Sequence, residues 1–141
     1  MGKISLIPPL NPCKEGFHML TILVTTKKKN VADGNKLWDK HRAYMEASHK
    51  EFLITYSLSQ GQELKNPFDP NSAPTGNTMF VLNECYKTSS DILKHWNKTA
   101  AEWSDFNALI AWMQRPDTKV VTLHDGLIRN SLFQESHVSI C

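Results

Sequence analysis

Four apolar, β-branched runs alternate with two stretches of helical period, in the order β-α-β-β-α-β. Phe17 to Thr26 (FHMLTILVTT) is hydrophobic on both parities, with Leu20, Ile22 and Val24 on one and Phe17, Met19 and Leu23 on the other. A strand apolar on both faces is normally central and covered on both sides. Asn30 to Glu51 shifts to helical period, with Asn30 or Asp33 as candidate N-caps. Phe52 to Leu58 and Thr78 to Tyr86 read as the second and third strands. The segment 59–77 between them, rich in Pro, Asn and Gly, reads as a long loop, well beyond the roughly 2–5 residues of a common hairpin. Ser89-Ser90-Asp91 caps a second helix expected to reach about Gln114, before Pro116. Lys119 to His124 is the fourth strand, and after Gly126 a short apolar segment could add another, exchanged with a partner.

This order predicts an α+β fold, a ferredoxin-like antiparallel sheet with both helices on one face. The other face is left bare, and a second copy of the chain is its simplest cover. Residues 1–16, with Pro8, Pro9 and Pro12, read as an extended lead-in, 17–133 as one domain, and 134–141 as a tail.

At about 100° per residue, the first helix carries its apolar stripe along Leu37, Trp38, Tyr44 and Met45. His41 falls within it, with Ser48 beside it and His49 at its edge. The second helix is expected to turn Ile92, Leu93, Trp96, Ala100, Trp103 and Ile110 inward, with His95 about a quarter-turn away. Two readings stand for His41. It is a core histidine satisfied by a backbone carbonyl and a hydroxyl such as Tyr56 or Ser48, or it is a hydrogen-bond donor or general base lining an apolar pocket. His49 and His95 read as solvated helix flanks, and the tryptophans as core and interface mass.

Composition narrows the classes. The formal charge is +2, and the only basic run, Lys27-Lys28-Lys29, reads as a solvated turn rather than a nucleic-acid footprint. The cysteines Cys13, Cys85 and Cys141 are odd in number and lack CxxC spacing, which argues against a disulfide framework and for a reducing, cytoplasmic setting. No apolar run suits a signal peptide or a membrane span. No histidine pair has metal-ligand spacing: His41 and His49 stand about 12 Å apart along one helix, too far to share an ion. Dinucleotide, phosphate-loop, GxSxG and HExxH motifs are absent.

Three pieces carry a resemblance across residues 17–125: K-L-W-D-K-H-R-A-Y-M-E-A-S-H at 36–49, N-E-C-Y-K-T-S-S-D-I-L-K-H-W at 83–96, and the last strand with its extension. The chain resembles the ferredoxin-like dimeric α+β barrels and, among them, the antibiotic-biosynthesis-monooxygenase-like group. The resemblance implies a homodimer packed sheet to sheet, with a pocket in each subunit. It also implies a small apolar or aromatic ligand and, in the enzymatic members, oxygenation of quinol-like or polyketide aromatics without a cofactor. On that reading His41 would hold or deprotonate the substrate hydroxyl while Tyr56 and Asn83 orient it. Trp38, Tyr44, Met45, Trp96, Trp103 and His95 would line the ligand site. Residues 106–114 (FNALIAWMQ) offer no histidine for haem, so no cofactor and no metal are expected. The competing expectations are a non-catalytic ligand-binding or stress-type protein of the same fold, and an RNA-recognition module. The third strand lacks the glycine-flanked basic signature of RNA readers, so no nucleic-acid partner is expected, nor a membrane.

Overall fold

A computed structural model describes residues 10–133. The elements are β1 (His18–Lys27), a 3-10 turn (Lys28–Asn30), α1 (Val31–Ser48), β2 (Leu53–Leu64), β3 (Pro74–Tyr86), α2 (Ser89–Glu102), α3 (Phe106–Met113) and β4 (Lys119–Leu127). The four strands form one antiparallel sheet in the order β2-β3-β1-β4, so the doubly apolar β1 is central, as its pattern requires. The helices cover one face. Leu20, Ile22 and Val24 of β1 meet Phe80 and Leu82 of β3, with Trp38, Trp103, Leu109 and Trp112 closing the core from the helical side.

The expected loop 59–77 is mostly strand. β2 and β3 remain paired through Gln62↔Thr78 and Leu64↔Pro74, leaving only residues 65–73 as the connection. Backbone pairing of a continuous hairpin outweighs the low β-propensity of Gly, Asn and Gln there. Asn66 and Asp69 close the tip by accepting from the amides of Phe68 and Asn71.

The expected single second helix is two. Trp103 leaves helical geometry (φ −85°, ψ 116°), and its indole turns in to stack on Tyr44 with ring centroids 5.9 Å apart. Ser104 and Asp105 follow, residue types that compete with helical hydrogen bonding. The inward face of α2 consists of Ile92, His95 and Thr99, whereas Leu93 and Ala100, expected inside, are exposed. Thr88, one residue before the expected cap, accepts from the amide of Asp91 at 3.1 Å. Asn30 sits at the N-cap of α1 without capping it. Its amide instead donates to Thr26 (2.9 Å) and Asp117 (2.8 Å), and its side-chain oxygen accepts from Arg115 (2.8 Å).

Cys13 and Cys85 form a disulfide. That overturns the expectation of unbridged cysteines and removes the argument for a reducing compartment, since such bonds persist in oxidising surroundings. Odd parity misled because two of three cysteines can pair and leave one over; the third, Cys141, lies outside the described residues. The bridge ties the lead-in to β3, and Ser131 donates to the Cys13 carbonyl at 2.9 Å. Residues 128–133 thus pack on the lead-in without forming a strand. The tail 134–141 lies outside the described residues, as do positions 1–9.

Candidate functional site

Sheet register creates the site. Tyr56 of β2 stands opposite Glu84 of β3, both pointing toward the helices, on the same parity as Leu82 and Phe80. His41 descends from α1 and His95 from α2 onto this pair. His41 Nδ1 lies 2.8 Å from the Tyr56 hydroxyl, and its Nε2 3.9 Å from Glu84 Oε2. His95 Nε2 is 3.3 Å from Glu84 Oε1, to which Tyr86 also donates at 2.5 Å. His95 Nδ1 reaches His49 Nε2 at 2.9 Å, and His49 Nδ1 reaches Ser48 Oγ at 2.6 Å.

The donors in this chain run in one direction. Ser48 donates its hydroxyl proton to the Tyr44 carbonyl at 2.7 Å, so it can only accept from His49 Nδ1. His49 Nε2 then accepts from His95 Nδ1, and a neutral His95 presents an unprotonated Nε2 to Glu84. That arrangement calls for a proton on the carboxyl. Burial meets the demand: Glu84 has no exposed surface, and desolvation pushes it up to about 7 against the opposing hydrogen bond from Tyr86. Burial holds His41 and His95 down at about 3. It holds His49 at about 4, with Lys98 adding to the effect. The imidazole–carboxyl contacts are therefore made by neutral rings and are not salt bridges. Burial and the Glu84 charge raise the Tyr56 phenol, which stays protonated. Among the described residues, Glu84 Oε2 and the indole nitrogens of Trp38 and Trp96 are buried without hydrogen-bond partners.

Two spaces adjoin the network. An open groove of about 420 Å³ lies along the C-terminal half of α1 and the start of β2, lined by Arg42, Met45, His49, Lys50, Ile54 and Tyr56 among others. On the inner side, a cavity of only about 20 Å³ is bounded by Trp38, His41, His95, Trp96 and Trp103. That is room for about one water molecule.

Of the expected residues, His41 points inward with Tyr56 as its partner, and Trp38, Trp96, Trp103 and His95 surround the inner cavity. Met45 lines the groove, while Tyr44 stacks on Trp103 and donates to the Lys98 carbonyl at 3.3 Å. His49 and His95 are buried, contrary to the expectation of solvated flanks, because each satisfies the other. Asn83 does not join the site. It alternates with Leu82 and Glu84 and so faces the helix-free side, where Thr21 donates to it at 2.6 Å. Glu84, Tyr86 and His49 were not anticipated, although Glu84 sits on the parity of Phe80 and Leu82 and could have been found there. Among the described residues no group of three His, Cys, Asp or Glu is arranged to hold a metal ion, and no helix is long and apolar enough to cross a membrane.

Sheet order and helix placement define an α+β protein of ferredoxin-like fold. A dimeric ferredoxin-like protein from an uncultured marine organism has the same architecture, with a TM-score of 0.54 at 11% identity over 82% of this chain and 99% of that one. No family model and no curated protein matches the sequence.

Proposed function

We propose that this chain binds a small molecule in the groove beside Tyr56 and performs acid–base chemistry on it, working as a homodimer paired through the helix-free sheet face. The observation that carries this reading is the dual position of Tyr56. It lines a groove of about 420 Å³, within the usual range for ligand sites, and it is hydrogen-bonded to a buried histidine. A ligand hydroxyl placed on Tyr56 would pass its proton through the phenol to His41, whose imidazolium Glu84, 3.9 Å away, would stabilise once its own carboxyl is ionised, above about pH 7. The narrower form of the proposal is a cofactor-independent monooxygenase acting on a quinol-like or polyketide aromatic. There the deprotonated aromatic gives an electron to dioxygen, and the protein supplies the base and a water-poor wall.

A non-catalytic ligand-binding protein is the second reading. It is favoured by the low proton affinity that burial imposes on His41, at about 3, which makes it a weak base in the resting state. Oxygen uptake with quinols and anthrones, measured beside ligand-induced melting shifts, separates the two. Under the first reading His41→Ala and Tyr56→Phe each lower uptake by about a hundredfold or more while the fold persists. Melting shifts without uptake support the second reading. Neither signal with any of these aromatics retires both for that ligand class.

A further inference from the structure

Between His41 and Glu84 lie hydrogen-bonding atoms that the protein itself leaves unused. His41 Nε2 stands 3.9 Å from Glu84 Oε2, beyond hydrogen-bond reach. Among the described residues, Glu84 Oε2 and the indole N–H of Trp38 are buried without a partner. Trp38 packs edge-on against His41, with ring centroids 5.3 Å apart. The inner cavity of about 20 Å³ adjoins this spot, since Trp38, His41, Leu82 and His95 all line it. Glu84 adjoins both histidines and shares a strand face with Leu82.

The unused groups have opposite needs. Glu84 gives its carboxyl proton to His95 through Oε1, which leaves Oε2 an acceptor, whereas an indole N–H can only donate. With Tyr56 donating to His41 Nδ1, the ring proton of His41 sits on Nε2 and is a second donor. These groups call for one small molecule that can accept twice and donate. Water does so, and a polar cavity of this size with several polar partners is where buried water is held. A water about 2.8 Å from each atom spans the gap, off the line between them. An apolar molecule would leave every one of these groups unpaired.

Resting on the acid–base reading above, we propose that this cavity holds one water, which joins His41 Nε2 to Glu84 Oε2 and makes Glu84 the end of the proton path from the groove. With Glu84 ionised, the ligand hydroxyl gives its proton to the Tyr56 oxygen as Tyr56 gives its own to His41 Nδ1. His41 releases its Nε2 proton to the water, and the water releases one to Glu84 Oε2. Only protons move, and the negative charge passes from the carboxylate to the ligand oxygen. His41 ends as its other neutral tautomer, so no lasting imidazolium is buried. Glu84 does not touch the ligand; it acts through His41 and Tyr56, as a positioning residue. Around it stand His41 from α1, His95 from α2, Tyr56 from β2, Leu20 from β1 and Tyr86 on its own strand. The histidines and phenols among these are neutral, which leaves burial as the main influence on its proton.

The test is nuclear magnetic resonance on the intact, disulfide-bonded chain, read beside oxygen uptake with the quinols and anthrones. The Trp38 indole proton and the His41 Nε2 proton should both show cross-relaxation with a long-lived water. Histidine ¹⁵N shifts should report His41 as the neutral Nε2–H tautomer from about pH 5 to about pH 8. Uptake should rise with pH through about 7. Glu84→Gln, with its amide oxygen at the Oε2 position, keeps the acceptor and should keep the water signals. It cannot take the proton, so uptake should fall by about tenfold to a hundredfold and lose that rise. Absence of cross-relaxation at both protons would overturn the water site. An imidazolium at His41 as uptake rises, or an unchanged pH profile in Glu84→Gln, would overturn the relay and leave Tyr56 and His41 as the acid–base pair. Uptake absent with every aromatic retires the relay together with the catalytic reading, while the resonances still decide the water site. Circular dichroism melts confirm that both proteins are folded before they are compared.

Discussion

Glu84 is the residue on which the buried network turns, and its ionisation sets how stability varies with pH. Its folded value is raised from 4.5 to about 7, so the fold favours the protonated form. The associated stability is fully present below about 4.5 and is lost as pH rises through 7. The three histidines act oppositely. Their values fall from 6.5 to about 3 or 4, so their contribution is present above 6.5 and lost as pH falls through that lower range. Glu84→Gln, turned with its amide nitrogen at the Oε1 position, can keep a donor for His95 Nε2 and offer its second N–H to the Tyr86 oxygen, without a charge to bury. We expect it to match wild type near pH 4.5 and to exceed it by about 3 kcal/mol at pH 8, as read from urea midpoints across pH. Equal midpoints at pH 8 would show that Glu84 ionises in the fold without penalty. The histidines predict a steep acid transition below pH 6.5 in both proteins. His41 was legible in the sequence because an imidazole interrupted an apolar helical stripe. His95 was not, since its burial depends on His49 arriving from another element to take up its Nδ1 proton.

At the scale of elements, close approach decides more than propensity. Gly34, in the second turn of α1, faces the indole of Trp112 on α3 so closely that an added Cβ would overlap the ring. Trp112 cannot retreat easily. It is buried, packs edge-on against Phe80 with centroids 5.2 Å apart, and donates its Nε1 proton to the Asn30 carbonyl at 2.9 Å. Gly34→Ala therefore sets a helix-propensity gain of about 1 kcal/mol against overpacking of about 1–3 kcal/mol. We expect net destabilisation, seen as a lower urea midpoint with an unchanged slope. A higher midpoint would mean that the indole yields. The existence and order of all four strands, and of α1, followed from period and turn residues alone. The break between α2 and α3 did not, because the pattern of Trp96, Trp103 and Ile110 fits one continuous helix. The docking of Trp103 on Tyr44, with Ser104 and Asp105 after it, makes the bend favourable. The extended β2–β3 hairpin was hidden for a related reason: Gln60, Gly61 and Gln62 lack strand character by themselves and acquire it from pairing with Phe80, Met79 and Thr78.

For the whole molecule, the decisive long-range link is covalent. Cys13 and Cys85 are separated by 72 residues, so the bridge closes a large loop through β1, α1 and β2. It fixes a lead-in whose other ties include hydrogen bonds to the segment after β4, among them Ile128 N to the Phe17 carbonyl at 2.8 Å and Gly16 N to the Ile128 carbonyl at 3.0 Å. Closing a loop of that length removes about 4 kcal/mol of chain entropy from the unfolded state. The Cys13→Ser/Cys85→Ser variant should therefore lose about 2–4 kcal/mol by urea denaturation, with added reductant bringing wild type down to the same value. The loss should not be uniform. Tyr86 and Glu84 adjoin Cys85 on β3 but are held from the opposite side by α2 and His95, so amide exchange at Glu84 should stay slow until global unfolding. Exchange at residues 13–17 should quicken at once. If both regions quicken together, the disulfide supports the buried acid–base network as well as the lead-in. Oxygen uptake and ligand binding would then respond to reductant in parallel with stability.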